Sequence, residues 1–477
     1  MEPTNQPKLE QLPAEMFTII KAASNGIGPR LGTLALPGRK AIQTPHYLGL
    51  TSRGVVPHIT QDNFARATSI SGVYVGLEDF IEKAPPHTPP LYQFKPPDGS
   101  SPLRRFIALP EQTLLVLGAR RTPPLAAPSA NSNTHETVAV CTAVGFRTLR
   151  AEYYAEVVEG LKADIVVGLG DIPFGRALGH KRVVKATDRT IQWMQDHVTR
   201  RRAVVERTAQ ARLFAPLLPV SCAKQQHYID SLTQDLASAI SGLAAYDLAS
   251  LGDLPDSLGH LPRLGFTAPS TPHDILQHIA HGIDIITIPF VIAATDAGIA
   301  LDFAFPPPAR NATNERDLDN PLPLAIDMWA ATHATGIYPL TTGCECYTCT
   351  SHHRAYLQHL LAAKELLGWV LLQIHNHHTL DLFFAGVRLS IAGGTFEQEV
   401  ERFAQAYESR LPEKTGQGPR IRGYQYKSEG RGEAKKNKAP FTMLDDGREK
   451  LAESALPAAN ADASELEEQG FAEKDVQ

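Results

Sequence analysis

The chain has 477 residues, 43% hydrophobic and 20% charged, and its 46 Lys+Arg against 51 Asp+Glu leave a net charge of −5. These proportions exclude a wholly disordered chain, and the acidic balance excludes a protein built as a polycation for nucleic acid, although it leaves a local basic face open. Five cysteines in so long a chain exclude a disulfide scaffold, and no stretch reaches the ~18 apolar residues of a membrane span. The first residues, Met1-Glu2-Pro3-Thr4-Asn5-Gln6-Pro7, have no basic and apolar leader, so a cytoplasmic location is expected.

From about Ile19 to Leu411 short apolar runs alternate with amphipathic segments. In chain order, residues 113–117, 137–140, 164–169, 213–220 and 284–290 read as buried strands, being short, rich in apolar residues and bounded by Gly, Pro or Asp. Residues 149–161, 187–202, 225–241 and 272–281 read as helices, the second with Thr187 as its cap and the fourth with Pro272 at its start. Strand and helix in alternation predict parallel βαβ units. A doubly wound sheet would want a Gly-x-Gly-x-x-Gly turn after its first strand, and the chain has none. The pattern therefore favours an α/β fold of the (β/α)₈ TIM-barrel kind. Residues 351–389 read as one long helical run and 395–411 as another, while 412–477, rich in Glu, Lys, Gly and Ala, read as a disordered tail with a Lys435-Lys436-Asn437-Lys438 cluster. The expected division is a barrel over 1–340, a metal-binding subdomain with closing helices over 341–411, and the tail over 412–477.

Three of the five cysteines, Cys344, Cys346 and Cys349, lie within six residues in a C-x-C-x-x-C pattern. Thiolates this close suit one tetrahedral Zn²⁺, and a fourth ligand is needed to close the site. His352, His353, His359, His375, His377 and His378 all follow, and spacing alone does not choose among them. A site with four protein ligands is structural, because no position is left for water or substrate.

The run Cys344-Glu345-Cys346-Tyr347-Thr348-Cys349, then Arg354 to Leu360, Lys364-Glu365-Leu366-Leu367 and Ile374-His375-Asn376, resembles the zinc subdomain of the tRNA-guanine transglycosylases. In that family a His-Asn pair follows the last cysteine after 25 residues, and 25 residues intervene between Cys349 and His375. The resemblance picks His375 as the fourth ligand and one structural Zn²⁺ as the cofactor. It extends upstream to about residue 20. It implies a TIM barrel carrying a zinc subdomain, and an enzyme that exchanges guanine for queuine at the wobble position of certain tRNAs. In eukaryotes it implies a cytoplasmic heterodimer of a catalytic and a non-catalytic subunit, often placed at the mitochondrial outer membrane.

The family's nucleophile is an Asp at the end of a barrel strand, followed by Pro-Thr-Arg. The matching stretch here runs Ile283-Asp284-Ile285-Ile286-Thr287-Ile288-Pro289-Phe290, which puts Thr287 at the nucleophile position. Asp284 falls on the strand face of Ile286. The family's Asp-Ser-Gly-Gly-Phe-Gln loop has no counterpart near Thr68 to Val73, and its Gln-Gly-Gly is replaced by Ser221-Cys222-Ala223. Asp171, after the strand at 164–169, echoes a base-recognising Asp or caps the strand end. These losses imply the non-catalytic subunit, with no catalytic residue of its own. Such a subunit would bind the catalytic one through the zinc subdomain and the apolar stripe from Leu360 to Leu371, and would hold tRNA by phosphate contacts from Arg200, Arg201, Arg202 and Arg354, with Lys181 and Arg182 as further candidates. Two other readings are a self-sufficient transglycosylase using Asp284 or Asp296, and a zinc-dependent barrel hydrolase.

Overall fold

The computed structural model describes residues 15–23, 26–81, 88–127, 132–143, 145–172, 174, 179–203, 211–308 and 321–419. The expected tail beyond 419, with its lysine cluster, lies outside the described residues. A small antiparallel sheet comes first, made of β1 (Phe17–Lys21), β2 (Leu31–Leu34) and β3 (Ile42–Thr44). The barrel strands follow: β4 (His46–Leu50), β5 (Gly72–Gly76) and β6 (Leu114–Gly118). A hairpin, β7 (Thr137–Thr142) and β8 (Gly145–Arg150), interrupts them. They resume with β9 (Ile165–Val167), β10 (Arg212–Leu217), β11 (Gly242–Ala245), β12 (Arg263–Gly265) and β13 (Ile285–Thr287). All eight are parallel, and β13 pairs back onto β4 in the register Ile285↔His46 to Thr287↔Leu48, which closes the ring. The expected TIM barrel is therefore present.

Period-two alternation divides the barrel residues between two cores. Leu48, Tyr74, Val116, Val167, Phe214, Ala244, Leu264 and Ile285 point inward and pack with Phe17, Leu34 and Ile42 of the first sheet, which plugs the barrel's N-terminal end. Val73, Leu115, Val166, Leu213, Leu243 and Ile286 point outward into the helical shell. That shell includes the helices Ala151–Leu161, His180–Ala203, Gln226–Thr233, Pro272–Ala280 and Phe290–Asp296. Pro272–Ala280 starts as expected, with Pro at its first turn, and Thr271 and Asp274 form a reciprocal capping box ahead of it.

Several expectations are corrected. Residues 137–140 are strand, but they pair antiparallel with β8 outside the barrel. Thr187 is no cap: the helix begins at His180, and Thr187 is buried within it. The helix expected over 225–241 ends at Thr233, and beyond it Leu236 and Ile240 are buried without helical structure. The strand expected over 284–290 stops at Thr287, because Pro289 caps the helix Phe290–Asp296. The helical run of 351–389 is three helices, Tyr347–Ser351, Arg354–Ala362 and Leu366–Gly393, broken where His352 and His353 are extended and where Lys364 adopts a left-handed backbone.

After the barrel, β14 (Ile299–Leu301) and β15 (Ala325–Asp327) form an antiparallel pair. The long helix Leu366–Gly393 packs against β14 and against Phe290–Asp296. The helix Phe396–Ala406 packs on the long helix and on Pro272–Ala280, so the C-terminal helices close over the barrel's flank.

Candidate metal centre and barrel mouth

Cys346 caps the helix Tyr347–Ser351, its Sγ accepting the Cys349 N–H at 3.3 Å. The Thr348 hydroxyl donates to the Leu371 carbonyl at 2.7 Å and ties that short helix to the long one. The two cysteines therefore face the buried stretch of Leu366–Gly393 that carries His375. The His375 Nδ1 lies 3.7, 3.6 and 3.4 Å from the Sγ atoms of Cys344, Cys346 and Cys349. All four donor atoms fall within 4.8 Å of one another. A tetrahedral Zn²⁺ with bonds of about 2.3 Å to sulfur and about 2.0 Å to nitrogen separates its S and N ligands by roughly 3.5 Å, so the donor set has the dimensions of a closed zinc site. Without a metal, burial opposes a proton on His375, the hydrogen-bonded cysteines favour one, and the balance raises its pKa to about 9, so a metal takes the Nδ1 position by displacing that proton.

The other ring nitrogen is fixed from behind. His375 Nε2 lies 2.9 Å from the Leu301 carbonyl, so it carries the hydrogen and leaves Nδ1 as the lone pair facing the thiols. Asn376 holds the same strand, accepting from the Leu301 N–H at 2.8 Å and donating to the Ile299 carbonyl at 3.1 Å and to Thr295 Oγ1 at 2.9 Å. Of the five remaining imidazoles, His359 is exposed on the helix Arg354–Ala362 and the other four have partners of their own. His353 caps the helix Arg354–Ala362, His352 stacks on Tyr356, His377 bonds Tyr47 and Gln373, and His378 hydrogen-bonds Cys344.

The C-terminal mouth of the barrel, where this architecture places its chemistry, is filled by side chains. Arg120 lies over Phe174 at 4.9 Å, Tyr246 stacks on Phe266 at 5.2 Å, and Phe266 meets Tyr74 edge-on at 4.8 Å. The Tyr74 hydroxyl donates to the Arg120 carbonyl at 2.5 Å. With these side chains in position the cavity among them holds about 30 Å³, room for a water or two, and a purine would have to displace them. Thr287, at the end of β13, is fully buried, with its hydroxyl donating to the Gly265 carbonyl at 3.1 Å.

Three nearby carboxylates, Asp171, Glu78 and Asp79, are held by arginines, whereas that of Asp247, just after β11, is exposed and accepts only the Ala249 N–H at 2.8 Å among the described residues. Asp171 takes Arg182 at 2.7 and 2.5 Å, Arg189 at 2.9 Å and Asn133 at 2.6 Å; burial alone would raise its pKa, and these partners hold it below the usual range. Glu78 and Asp79, which sequence reasoning passed over in favour of Thr68 to Val73, directly follow β5. Glu78 accepts from the Arg121 and Cys141 N–H groups at 2.8 and 2.6 Å, and Asp79 pairs with Arg121 at 3.2 Å. The signal missed was an acidic pair, Leu77-Glu78-Asp79-Phe80, immediately after a glycine-bounded apolar strand. Cys222 donates to the Ser250 carbonyl at 3.3 Å.

Asp284 sits at the opposite end of the barrel. It precedes β13, and its carboxylate receives Arg30 Nε and Nη2 at 2.8 and 2.6 Å and the Arg263 N–H at 2.7 Å. Asp296 pairs with His58 at 2.5 Å, outside the barrel.

The candidate RNA-binding groups do not form one patch. The helix His180–Ala203 follows β9 and runs back antiparallel to the strands, so Lys181 and Arg182 are near the mouth, whereas Arg200, Arg201 and Arg202 are toward the N-terminal end. Arg200 pairs with Glu152 at 2.5 Å, Arg201 lies 3.4 Å from Glu159, and Arg202 is exposed. Arg354 is used locally: it donates to the Pro339 and Leu340 carbonyls and covers the Tyr338 ring at 4.9 Å.

A family model described as queuine tRNA-ribosyltransferase matches residues 25–409. A protein of Schizosaccharomyces pombe named queuine tRNA-ribosyltransferase accessory subunit 2 is 34% identical over 411 residues, covering 85% of this chain and 88% of that protein. Proteins of the same name from Drosophila mojavensis and Drosophila melanogaster are 30% and 28% identical, covering 79% and 80% of this chain and 89% and 90% of their own lengths.

Proposed function

The chain belongs to the queuine tRNA-ribosyltransferase family, and from that premise we propose that it is the non-catalytic subunit of a heterodimeric tRNA-guanine transglycosylase. The catalytic partner exchanges guanine for queuine at wobble position 34 of tRNAs with GUN anticodons, and this chain binds that partner and helps hold the tRNA. The observation that carries the reading is the filled barrel mouth: a base-exchanging enzyme must admit a flipped purine, and 30 Å³ bounded by Tyr74, Arg120, Phe174, Tyr246 and Phe266 does so only if those side chains are displaced. Thr287 at the expected nucleophile position supports it, because a buried hydroxyl already donating to a backbone carbonyl has no base to activate it. The Asp284 alternative fares worse, since that carboxylate is consumed by Arg30 at the far end of the barrel.

The metal we propose is one structural Zn²⁺ held by Cys344, Cys346, Cys349 and His375, supplying cross-links between the loop after β15 and the long helix. Four donors at zinc spacing leave no open position, which argues against a hydrolase. The zinc subdomain is the proposed surface for the partner, and the exposed Leu366 and Leu367 at the start of the long helix support it. For tRNA, phosphate contacts from Lys181 and Arg202 suit a body-holding role better than Arg354, whose guanidinium is occupied. The proposed location is the cytoplasm, with only peripheral attachment to the mitochondrial outer membrane; no helix among the described residues is long and apolar enough to cross a membrane. Mixing the purified chain with a catalytic subunit and tRNA tests the reading: a stable 1:1 complex supports it, and failure to associate at micromolar concentration overturns it.

A further inference from the structure

We propose that residues 412–419 are a latch that clamps Trp329 and thereby slows release of the metal from the neighbouring thiolates. The inference rests on the zinc reading above for its metal, and on side-chain packing for the latch itself. These residues read from sequence as the start of a disordered tail, yet Gly418 and Pro419 are buried. The Thr415 hydroxyl donates to one oxygen of Asp327, while the other oxygen of Asp327 accepts the Trp329 N–H at 3.0 Å. Gly416 then lies directly against the fused bond of the indole, where a Cβ would overlap Cδ2 and Cε2; only glycine permits so close an approach. On the Nε1 edge, Gly298 with φ +74° leaves equally little room, and Nε1 donates to the Ala297 carbonyl at 3.0 Å. The indole is thus fixed between two backbone segments distant in sequence.

Trp329 packs in the same apolar cluster as Cys344, Cys346, Cys349, Met328 and Leu340. The latch and the donor set are therefore joined through one shared apolar cluster. When it lifts, Trp329 gains freedom, the wall of the site loosens, and a thiolate can leave the ion more often. Support behind metal ligands affects affinity by about 10–100-fold in general, which sets the scale of the effect.

The test uses full-length protein, wild type against Gly416→Val and Thr415→Ala. Two readouts are taken: acrylamide quenching of tryptophan fluorescence, and the rate of zinc transfer to a chromogenic chelator. Of the three tryptophans, Trp193 and Trp369 are 3% and 1% exposed and stay dark to quencher, so added quenching reports Trp329. The latch predicts increased quenching in both variants and zinc release faster by roughly tenfold in Gly416→Val. Should Gly416→Val fail to fold, as circular dichroism would show, Thr415→Ala carries the test, because it removes one hydrogen bond and adds no bulk. Quenching and release unchanged from wild type in the folded variants overturn the latch. A wild-type protein that holds no zinc overturns the metal reading instead, and quenching then judges the latch alone.

Discussion

His375 presents Nδ1 to three thiols because its Nε2 is committed to the Leu301 carbonyl 2.9 Å away. One strand residue of β14 thus decides which nitrogen of a helix residue can meet a metal. Replacing Cys346 with Ala removes one thiolate and the cap of Tyr347–Ser351 together. The variant is expected to purify with little or no zinc by atomic absorption, with a lower Tm and weaker binding to the catalytic subunit. Unchanged zinc content would refute the ligand assignment.

Among the described residues Asn376 makes no bond to the thiols, yet it holds β14 at two points, accepting the Leu301 N–H and donating to the Ile299 carbonyl. Asn376→Ala is expected to keep zinc at saturation and to lose it in competition with a chelator, with affinity down about 10–100-fold. Affinity equal to wild type would show that β14 is held well enough without the amide.

The three cysteines were legible because metal ligands on one short loop declare themselves by spacing. His375 was not, since six imidazoles follow and only the fold selects one; family resemblance supplied it. Of the barrel strands, β6, β9, β10 and β13 were legible as apolar runs, while β4 (His-Tyr-Leu-Gly-Leu), interrupted by glycine, and β5 (Gly-Val-Tyr-Val-Gly), bounded by glycines, were not. β11 (Gly-Leu-Ala-Ala) and β12 (Arg-Leu-Gly) were not legible either, because three or four residues buried on both faces show no alternation and here no β-branched enrichment. Strand 137–140 showed its conformation but not its partner, which a local pattern cannot encode. The filled mouth depends on Tyr74 of β5 and on Phe174, Tyr246 and Phe266 from three separate loops, and was invisible in sequence.

Asp284 and Arg30 form a buried pair, 2.6 Å apart, at the plugged end of the barrel. Arg30→Met leaves the carboxylate uncompensated and is expected to cost about 3–5 kcal/mol in urea denaturation. Asp284→Asn should likewise lower stability while leaving base exchange by the mixed subunits intact at a temperature where the variant is folded. Exchange abolished in the folded Asp284→Asn protein would return this residue to a chemical role.

Burial raises the Asp381 carboxyl to about 6, against the hydrogen bond from Tyr47 and the charges of His378, Arg388 and Lys40. Because its folded pKa lies above its unfolded value, its favourable contribution is fully present below about pH 4 and is lost as pH rises through 6. Asp381→Asn is expected to flatten the stability profile between about pH 4 and 6 relative to wild type. An identical pH dependence in the two proteins would place the titration elsewhere.

The proposed non-catalytic role rests on a barrel mouth occupied by Tyr74, Arg120, Phe174, Tyr246 and Phe266 and on a buried threonine at the expected nucleophile position. Incorporation of labelled guanine into tRNA tests it most directly, with this chain alone, the catalytic subunit alone, and the two mixed. The predicted result is no incorporation by this chain at any concentration and full incorporation by the mixture. Robust incorporation by this chain alone, with tRNA trapped covalently on it, would contradict the account.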